Sequence, residues 1–181
     1  ILTDKSIDGS QCIFGTPYGF QVIPGSSDNV LFYFQGGGAC WNKATTAAGL
    51  CTSEISPNAP TGIFDRDNKK NPFKDYTIVH ALYCSGDVWV GKTTAPYEHK
   101  SKPVTQVGYI NADVTKNWLQ QQVKSGDIAS LLNNFVVMGC SAGSVGTQFW
   151  ADTLLTAFPA QHAAVIPDSY AGVFPDGTIG P

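Results

Sequence analysis

The amino-acid sequence predicts an α/β fold, a three-layer sandwich in which helices cover a mostly parallel sheet on both faces. Short runs that are apolar throughout, such as FVVM at 135–138, are typical of strands buried on both sides. In the second half of the chain such runs alternate with stretches of helix length, which is the order that builds parallel sheets. The length of 181 residues fits one domain, and we expect residues 1–181 to form a single domain.

The first half of the chain contains three predicted strands. GFQVIPG at 19–25 and NVLFYFQGGG at 29–38 are separated by a few polar residues, which predicts a hairpin. DYTIVHALYC at 75–84 is rich in β-branched and aromatic residues and predicts a buried strand. The polar stretch 51–74 before it is long for a loop, so we expect it to be functional or locally structured.

The second half alternates helices with strands. Asn111 or Asp113 could cap the first helix, and Pro159 stops the second. The four predicted elements are a helix at 111–123, a strand at 133–140, a helix at 143–158 and a strand at 162–169.

Composition excludes several classes of function. The chain has 11 basic and 14 acidic residues, and a net charge of −3 is too mild to favour nucleic acid or a membrane surface as a partner. It contains no run of eighteen apolar residues, so we expect no membrane span. No Cys/His cluster has zinc spacing, and we expect no metal and no cofactor.

The five cysteines allow two interpretations. They are either five buried thiols in a cytosolic protein, or two disulfides and one odd cysteine in a secreted protein. Most of them flank Gly-rich or polar loops, where a thiol gains little from burial. Together with the low charge, this favours secretion.

The stretch GCSAGS at 139–144 holds a serine in a Gly-x-Ser-x-Gly frame. An apolar strand precedes it and a helix follows, as in a strand-to-helix turn that presents a nucleophilic serine. Gly139 and Gly143 remove side chains that would clash across such a turn. Ser141 is therefore the candidate nucleophile. The alternative is a Gly-rich loop that only joins a strand to a helix.

Two further stretches follow predicted strands. In FQGGGACW, the backbone N–H groups of Gly37 and Gly38, with that of Ala142, could bind an oxyanion. The alternative is a tight turn that ends a strand. In YCSGDVWVGKT, Asp87 and Trp89 could line a pocket, or they could be a turn residue and a core aromatic. The candidate pocket residues are Trp41, Asp87, Trp89 and Asp168.

These stretches, in this order, resemble the pectin acetylesterase/Notum family of α/β-hydrolase carboxylesterases. The resemblance runs from about residue 8 to about residue 174. It is carried by DGSQCIFGTPYGFQVIPG, FQGGGACWN, YCSGDVWVG, GCSAGSVGTQFWAD and PDSYAGVF. It implies an extracellular α/β-hydrolase that cleaves an ester from a glycan or a modified protein with a Ser-His-Asp triad and no metal.

The resemblance also implies roles for individual residues. Ser141 matches the nucleophile, and Gly37, Gly38 and Ala142 match the oxyanion-hole backbone. Cys12 matches a cysteine paired with that at Cys84, and Cys40 one paired with that at Cys51, which leaves Cys140 as the odd thiol. The family often has a bulky aromatic residue after the paired glycines, where this chain has Gly38 and Ala39, so the pocket is expected to be wider or differently shaped.

The chain lacks a convincing base for Ser141. The triad order in this fold is serine, acid, histidine, and the only later histidine, His162, begins a predicted strand, at the opposite sheet edge. His80 lies within a predicted strand and is expected in the core. His99 lies in a polar loop and is expected to be solvated. Asp168 ends its strand at the serine's edge, as a candidate acid or pocket residue.

We therefore expect this chain to be the N-terminal portion of an α/β-hydrolase whose sheet is incomplete at the C-terminus. A downstream segment or a second chain would supply the aspartate and the histidine. The function that the sequence favours is a secreted serine carboxylesterase that removes acetyl groups from a polysaccharide. The alternatives are a non-catalytic hydrolase-fold module for binding or assembly, and an esterase that acts on longer acyl chains.

Overall fold

The computed structural model of the chain describes residues 9–169. The predicted incompleteness of the sheet towards residue 181 therefore concerns positions outside the described residues. The strands are β1 (Phe20–Ile23), β2 (Ser26–Phe34), β3 (Tyr76–Ala81), β4 (Thr93–His99), β5 (Lys102–Gln106), β6 (Leu132–Cys140) and β7 (Ala160–Asp168). The helices are α1 (Lys43–Ala47), α2 (Gly108–Ser125) and α3 (Ala142–Ala157), with a 3₁₀ turn at Gly62–Phe64.

The main sheet has the strand order β1-β3-β2-β6-β7. β3, β2, β6 and β7 run parallel, and β1 pairs antiparallel with β3. This confirms the predicted mostly parallel sheet. Because parallel strands end at the same edge, the segments that follow β2, β3, β6 and β7 meet at one edge.

The predicted hairpin between the first two strands is wrong, because β3 lies between β1 and β2. After β1 the chain passes over the start of β3 so closely that a Cβ on Gly25 would lie 2.3 Å from the carbonyl oxygen of Tyr76. Four of the five residues of β2 from Val30 to Phe34 are completely buried, so this strand belongs in the sheet interior. The half-buried β1 can occupy the edge.

The two faces of the sheet are covered differently. On one face, α2 and α3 pack over inward-facing residues such as Phe32, Phe34 and Val137. On the other face, Leu31 and Ile78 pack against Phe64 of the 3₁₀ turn. The long polar stretch at 51–74 is thus locally structured, and part of it is the cover of the second face. In the part of the chain that the structure describes, no helix is both long and apolar enough to cross a membrane.

The hairpin of β4 and β5 and the short helix α1 were not predicted. Lys100 and Ser101 form the hairpin turn with positive φ angles of 49° and 60°. β4 exposes most of its residues, so its sequence lacks the apolar alternation that would reveal a strand. α1 is a single turn, too short for a periodic pattern, and begins at a capping box formed by Asn42 and Thr45.

Helix α2 begins at Gly108, three residues before the prediction. Asn111 is not its cap, because its buried side chain bonds the backbone of Gln11 instead. Its Oδ1 accepts from the Gln11 N–H at 3.1 Å, and its Nδ2 donates to the Gln11 carbonyl at 2.9 Å. Asp113 is not the cap either, because it forms an ion pair with Lys116 one turn later.

Both disulfides that the resemblance implied are present, and Cys140 is a free thiol. Cys12–Cys84 ties the N-terminal loop to the segment after β3, across 72 residues. Cys40–Cys51 closes the loop that follows the glycines after β2, across 11 residues. By loop-closure entropy each bond stabilises the fold by about 3–4 kcal/mol.

His80 is completely buried in β3, as predicted. Its Nδ1 lies 3.2 Å from Oε1 of Gln21, and its ring packs against Tyr33 and Phe64. Its Nε2 has no hydrogen-bond partner among the described residues. Burial lowers the pKa of His80 from 6.5 to about 4.

We predict that His80 makes the fold sensitive to acid. Between about pH 6.5 and pH 4 the unfolded chain takes up a proton that the folded chain excludes, so the free energy of unfolding falls by up to about 3 kcal/mol as the pH drops through this window. Urea unfolding at several pH values, for wild type and His80→Phe, measures this loss. An identical loss in both proteins would assign the acid sensitivity to other groups.

Candidate active site

Ser141 lies on the turn between β6 and α3, with φ 57° and ψ −122°. A non-glycine residue in this region costs about 1–3 kcal/mol and persists only where its surroundings impose it. Here the serine N–H donates to the carbonyl of Asp168 (3.2 Å), and the serine carbonyl accepts from N and Oγ of Ser144 (2.9 and 2.5 Å). The predicted strand–turn–helix context is confirmed, and the serine side chain is exposed at the helix N-terminus.

The turn is closed by two glycines. A Cβ on Gly139 would lie 2.3 Å from the carbonyl oxygen of Gly143, and a Cβ on Gly143 would lie 2.1 Å from the carbonyl oxygen of Phe34. Neither contact leaves room for a larger residue. The glycines therefore let α3 start directly against the ends of β6 and β2.

The glycine-rich loop after β2 packs against this turn. A Cβ on Gly36 would lie 2.3 Å from the carbonyl oxygen of Cys140 and 3.1 Å from Cβ of Ser141. The carbonyl of Gly37 accepts from N of Thr52 at 2.7 Å, and Gly38 forms a β-bridge with Cys51. The sequence marks Gly36 only as the first of three glycines and does not reveal this contact with the serine turn.

A cavity of about 290 Å³ opens beside Ser141. Of the predicted oxyanion donors, Gly38 and Ala142 line it with the serine, while Gly37 packs against Thr52 and Tyr83. The first N–H groups of a helix have no intrahelical acceptor, so α3 directs free donors towards this cavity. The other described lining residues are Ala39, Val88, Ser144, Val145 and Ser169.

A second cavity, of about 260 Å³, adjoins the first. Ala39 and Val88 line both, so they form the wall between the two. Val88 has a φ of 52°, a strained conformation for a β-branched residue. Two predicted pocket residues, Trp41 and Asp87, line the second cavity.

Trp89 lines neither of the two cavities described above, so its prediction as a pocket residue is wrong and the alternative of a core aromatic holds. Its side chain is completely buried, and its Nε1 donates to the carbonyl of Gln35 at 3.0 Å. A Cβ on Gly146 of α3 would lie 2.6 Å from the indole. The sequence stretch could not show which way the residue faces. Trp89 therefore packs between the loop after β2 and helix α3.

Asp87 is held by several hydrogen bonds. Its carboxylate accepts from Oγ of Ser85 (2.6 Å), from N of Trp89 (3.2 Å) and from N of Gly108 (2.7 Å), the first residue of α2. A carboxylate at a helix N-terminus interacts favourably with the helix dipole. Burial raises the pKa of Asp87, and its hydrogen bonds lower it to a smaller extent. Asp87 thus joins the loop after β3 to α2.

The chain matches the family model described as Pectinacetylesterase over residues 1–178. The chain belongs to the pectinacetylesterase family. It is 31% identical over 160 residues to the palmitoleoyl-protein carboxylesterase NOTUM of Schmidtea mediterranea, covering 80% of this chain and 28% of that protein. It is also similar to the crystal structure of the Wnt deacylase Notum from Drosophila, with a TM-score of 0.60 and 16% identity, covering 90% of this chain and 50% of that one. The structural likeness confirms the α/β-hydrolase-like fold.

The three histidines of this pectinacetylesterase-family chain all lie away from Ser141. His162 pairs in register with Asn134, six positions before Cys140 in β6, which is about 20 Å along the strand. His80 is in the core. His99 was expected to be solvated in a loop, but it ends β4 and its ring stacks on Phe14 with centroids 5.1 Å apart.

Asp168 lies at the same sheet edge as Ser141, as predicted. It pairs in register with Cys140, and its carbonyl accepts from the Ser141 N–H. Its side chain is exposed and its Oδ1 accepts from Oγ of Ser169 at 3.2 Å. Its predicted role as acid or pocket residue stays a prediction.

We predict that Gly143→Ala destabilises the protein by about 1–3 kcal/mol, because the added methyl group overpacks the contact with the carbonyl of Phe34. This loss exceeds the gain of about 1 kcal/mol that alanine brings to a helix. Urea unfolding measures it. Gln148→Ala, on an exposed position of the same helix, is the control and should leave stability within about 0.5 kcal/mol. A Gly143→Ala variant as stable as wild type would contradict the close packing of α3 on β2.

Proposed function

We propose that the protein is a serine carboxylesterase, and that its substrate is an acetylated polysaccharide. The observation that carries this proposal is the position of Ser141. It is an exposed serine on a strained turn at the N-terminus of α3, beside a glycine-rich loop and open to a cavity. Membership of the pectinacetylesterase family supports the ester chemistry.

In the proposed mechanism, Oγ of Ser141 attacks the acyl carbon while a histidine removes its proton. The developing oxyanion is stabilised by the backbone N–H groups of Gly38 and Ala142, with Gly37 as the third predicted donor. The alcohol leaves with the proton from the histidine. Water then attacks the acyl-serine and releases the acid and the free serine.

We infer that the histidine and the aspartate of the triad come from a downstream segment or from a second chain. This inference rests on where the chain's own histidines lie, in the core, on Phe14 and at the opposite sheet edge. We also propose that the protein is secreted, because its two disulfides are the kind of bond that persists in oxidising compartments.

The size of the cavity beside Ser141 favours a short acyl group. Its volume of about 290 Å³ lies at the lower limit of the range of about 300–1,000 Å³ that is usual for ligand pockets. The competing function is an esterase for longer acyl chains, which is the activity named for the Schmidtea relative. This long-chain function is favoured by Gly38 and Ala39, which leave space where the family often carries a bulky aromatic residue.

We predict that Ser141→Ala abolishes both labelling by a fluorophosphonate probe and hydrolysis of p-nitrophenyl acetate by the full-length protein, the latter by about four orders of magnitude or more. Ser169→Ala is the matched control, since Ser169 lines the same cavity, and it should keep the label. A label that persists in Ser141→Ala would assign the nucleophile elsewhere. A full-length wild type that takes no label would favour a non-catalytic binding module.

We predict further that kcat/KM falls as the acyl chain lengthens. The full-length protein would be assayed with p-nitrophenyl acetate, butyrate, octanoate and palmitoleate. A cavity of about 290 Å³ accommodates the acetyl group, and the rate falls with longer chains that the cavity cannot bury. A rise in kcat/KM from acetate to palmitoleate would instead establish the long-chain activity.

A further inference from the structure

The second cavity adjoins the serine cavity but takes no part in the proposed chemistry. The two share only the wall of Ala39 and Val88. An ester has two parts that diverge from the carbonyl carbon, the acyl group and the alcohol. If the acyl group lies in the serine cavity, the adjoining cavity is in position to receive the alcohol. This step rests on the proposed esterase function.

Trp41 is the one aromatic residue among the described residues that line this second cavity. It is 68% exposed, whereas Trp89 and Trp150 are buried and Trp118 is half-buried. An exposed tryptophan forgoes the free energy that its burial would provide. Its backbone is nevertheless fixed: Cys40 before it is in a disulfide, and its own N–H donates to Oγ1 of Thr45 at 3.1 Å. The indole is thus held on a preorganised backbone beside the cavity.

The lining of the cavity also includes polar residues. The Gln106 carboxamide donates to the carbonyls of Cys40 (2.5 Å) and Gly86 (3.2 Å), which fixes its orientation. Within residues 9–169 no donor bonds its Oε1, which is left as an acceptor. The hydroxyl of Thr93 and the carboxyl of Asp87 also belong to this lining.

An indole beside hydrogen-bonding groups fits a pyranose better than a lipid chain. A sugar ring can place its C–H face on an indole while its hydroxyls bond the polar lining groups. A lipid chain would instead remove those polar groups from water without replacing their hydrogen bonds.

We propose that the cavity beside Trp41 is the subsite for the sugar that carries the ester, and that it binds a pyranose stacked on the Trp41 indole. Trp41 therefore determines specificity for the alcohol part of the substrate. It has no part in the attack on the acyl carbon.

The test compares two esters in the full-length protein. An acetylated xylo-oligosaccharide fills both cavities, whereas ethyl acetate, followed by pH-stat, has an alcohol too small to reach Trp41. Trp41→Ala should lower kcat/KM for the oligosaccharide roughly tenfold, mostly through KM, and leave that for ethyl acetate within about twofold. Trp41→Phe keeps an aromatic ring and should recover most of the loss.

Leu50→Ala is the control, since it removes an exposed apolar side chain of the same loop that lines neither cavity. An equal loss in Leu50→Ala, an equal loss with ethyl acetate, or no loss in Trp41→Ala would overturn the subsite.

A binding measurement separates this proposal from the esterase function. In a Ser141→Ala background, the unacetylated xylo-oligosaccharide should change the tryptophan fluorescence, and Trp41→Phe should remove the change. Binding in a protein that hydrolyses no ester would leave the subsite standing and reject the esterase. A protein that hydrolyses acetate esters but shows no such fluorescence change would reject the subsite alone.

Discussion

The geometry of the site depends on one close approach of three backbone segments. The end of β6 turns into α3 at Ser141, and Gly143 brings the helix start against the end of β2. Gly36, just after β2, packs against the same turn. Because the closest contact of each glycine is to a backbone carbonyl, no side-chain rearrangement can relieve it. The strained serine, the free N–H groups of the helix and the glycine-rich loop therefore keep fixed relative positions.

Buried residues and the parallel strands hold these three segments in place. Trp89 is buried between the loops and α3 and bonds the carbonyl of Gln35, next to the glycines. Asp87 joins the same loop to the N-terminus of α2. The parallel strands carry these segments to one edge, so residues far apart in sequence meet around two adjoining cavities.

Much of this arrangement could be predicted from the sequence, because local patterns report local structure. The apolar run before GCSAGS and the helix after it sufficed for the serine turn. The pairing of β1 with β3 could not be predicted, because the short polar link to β2 suits a hairpin equally well and the choice depends on which strand needs burial on both sides. The direction in which Trp89 faces is set by the left-handed φ angles of Val88 and Trp89, which no residue type there signals.

The Cys40–Cys51 disulfide has an evolutionary consequence. It closes the loop from Trp41 to Leu50 at its base and, with the bridge between Gly38 and Cys51, isolates that loop from the glycines. Residues inside a closed surface loop can change or lengthen at small cost, since closure entropy grows slowly with length. Mutation can therefore vary the surface beside the serine without moving the backbone next to it, so that selectivity and reactivity can diverge independently within one lineage.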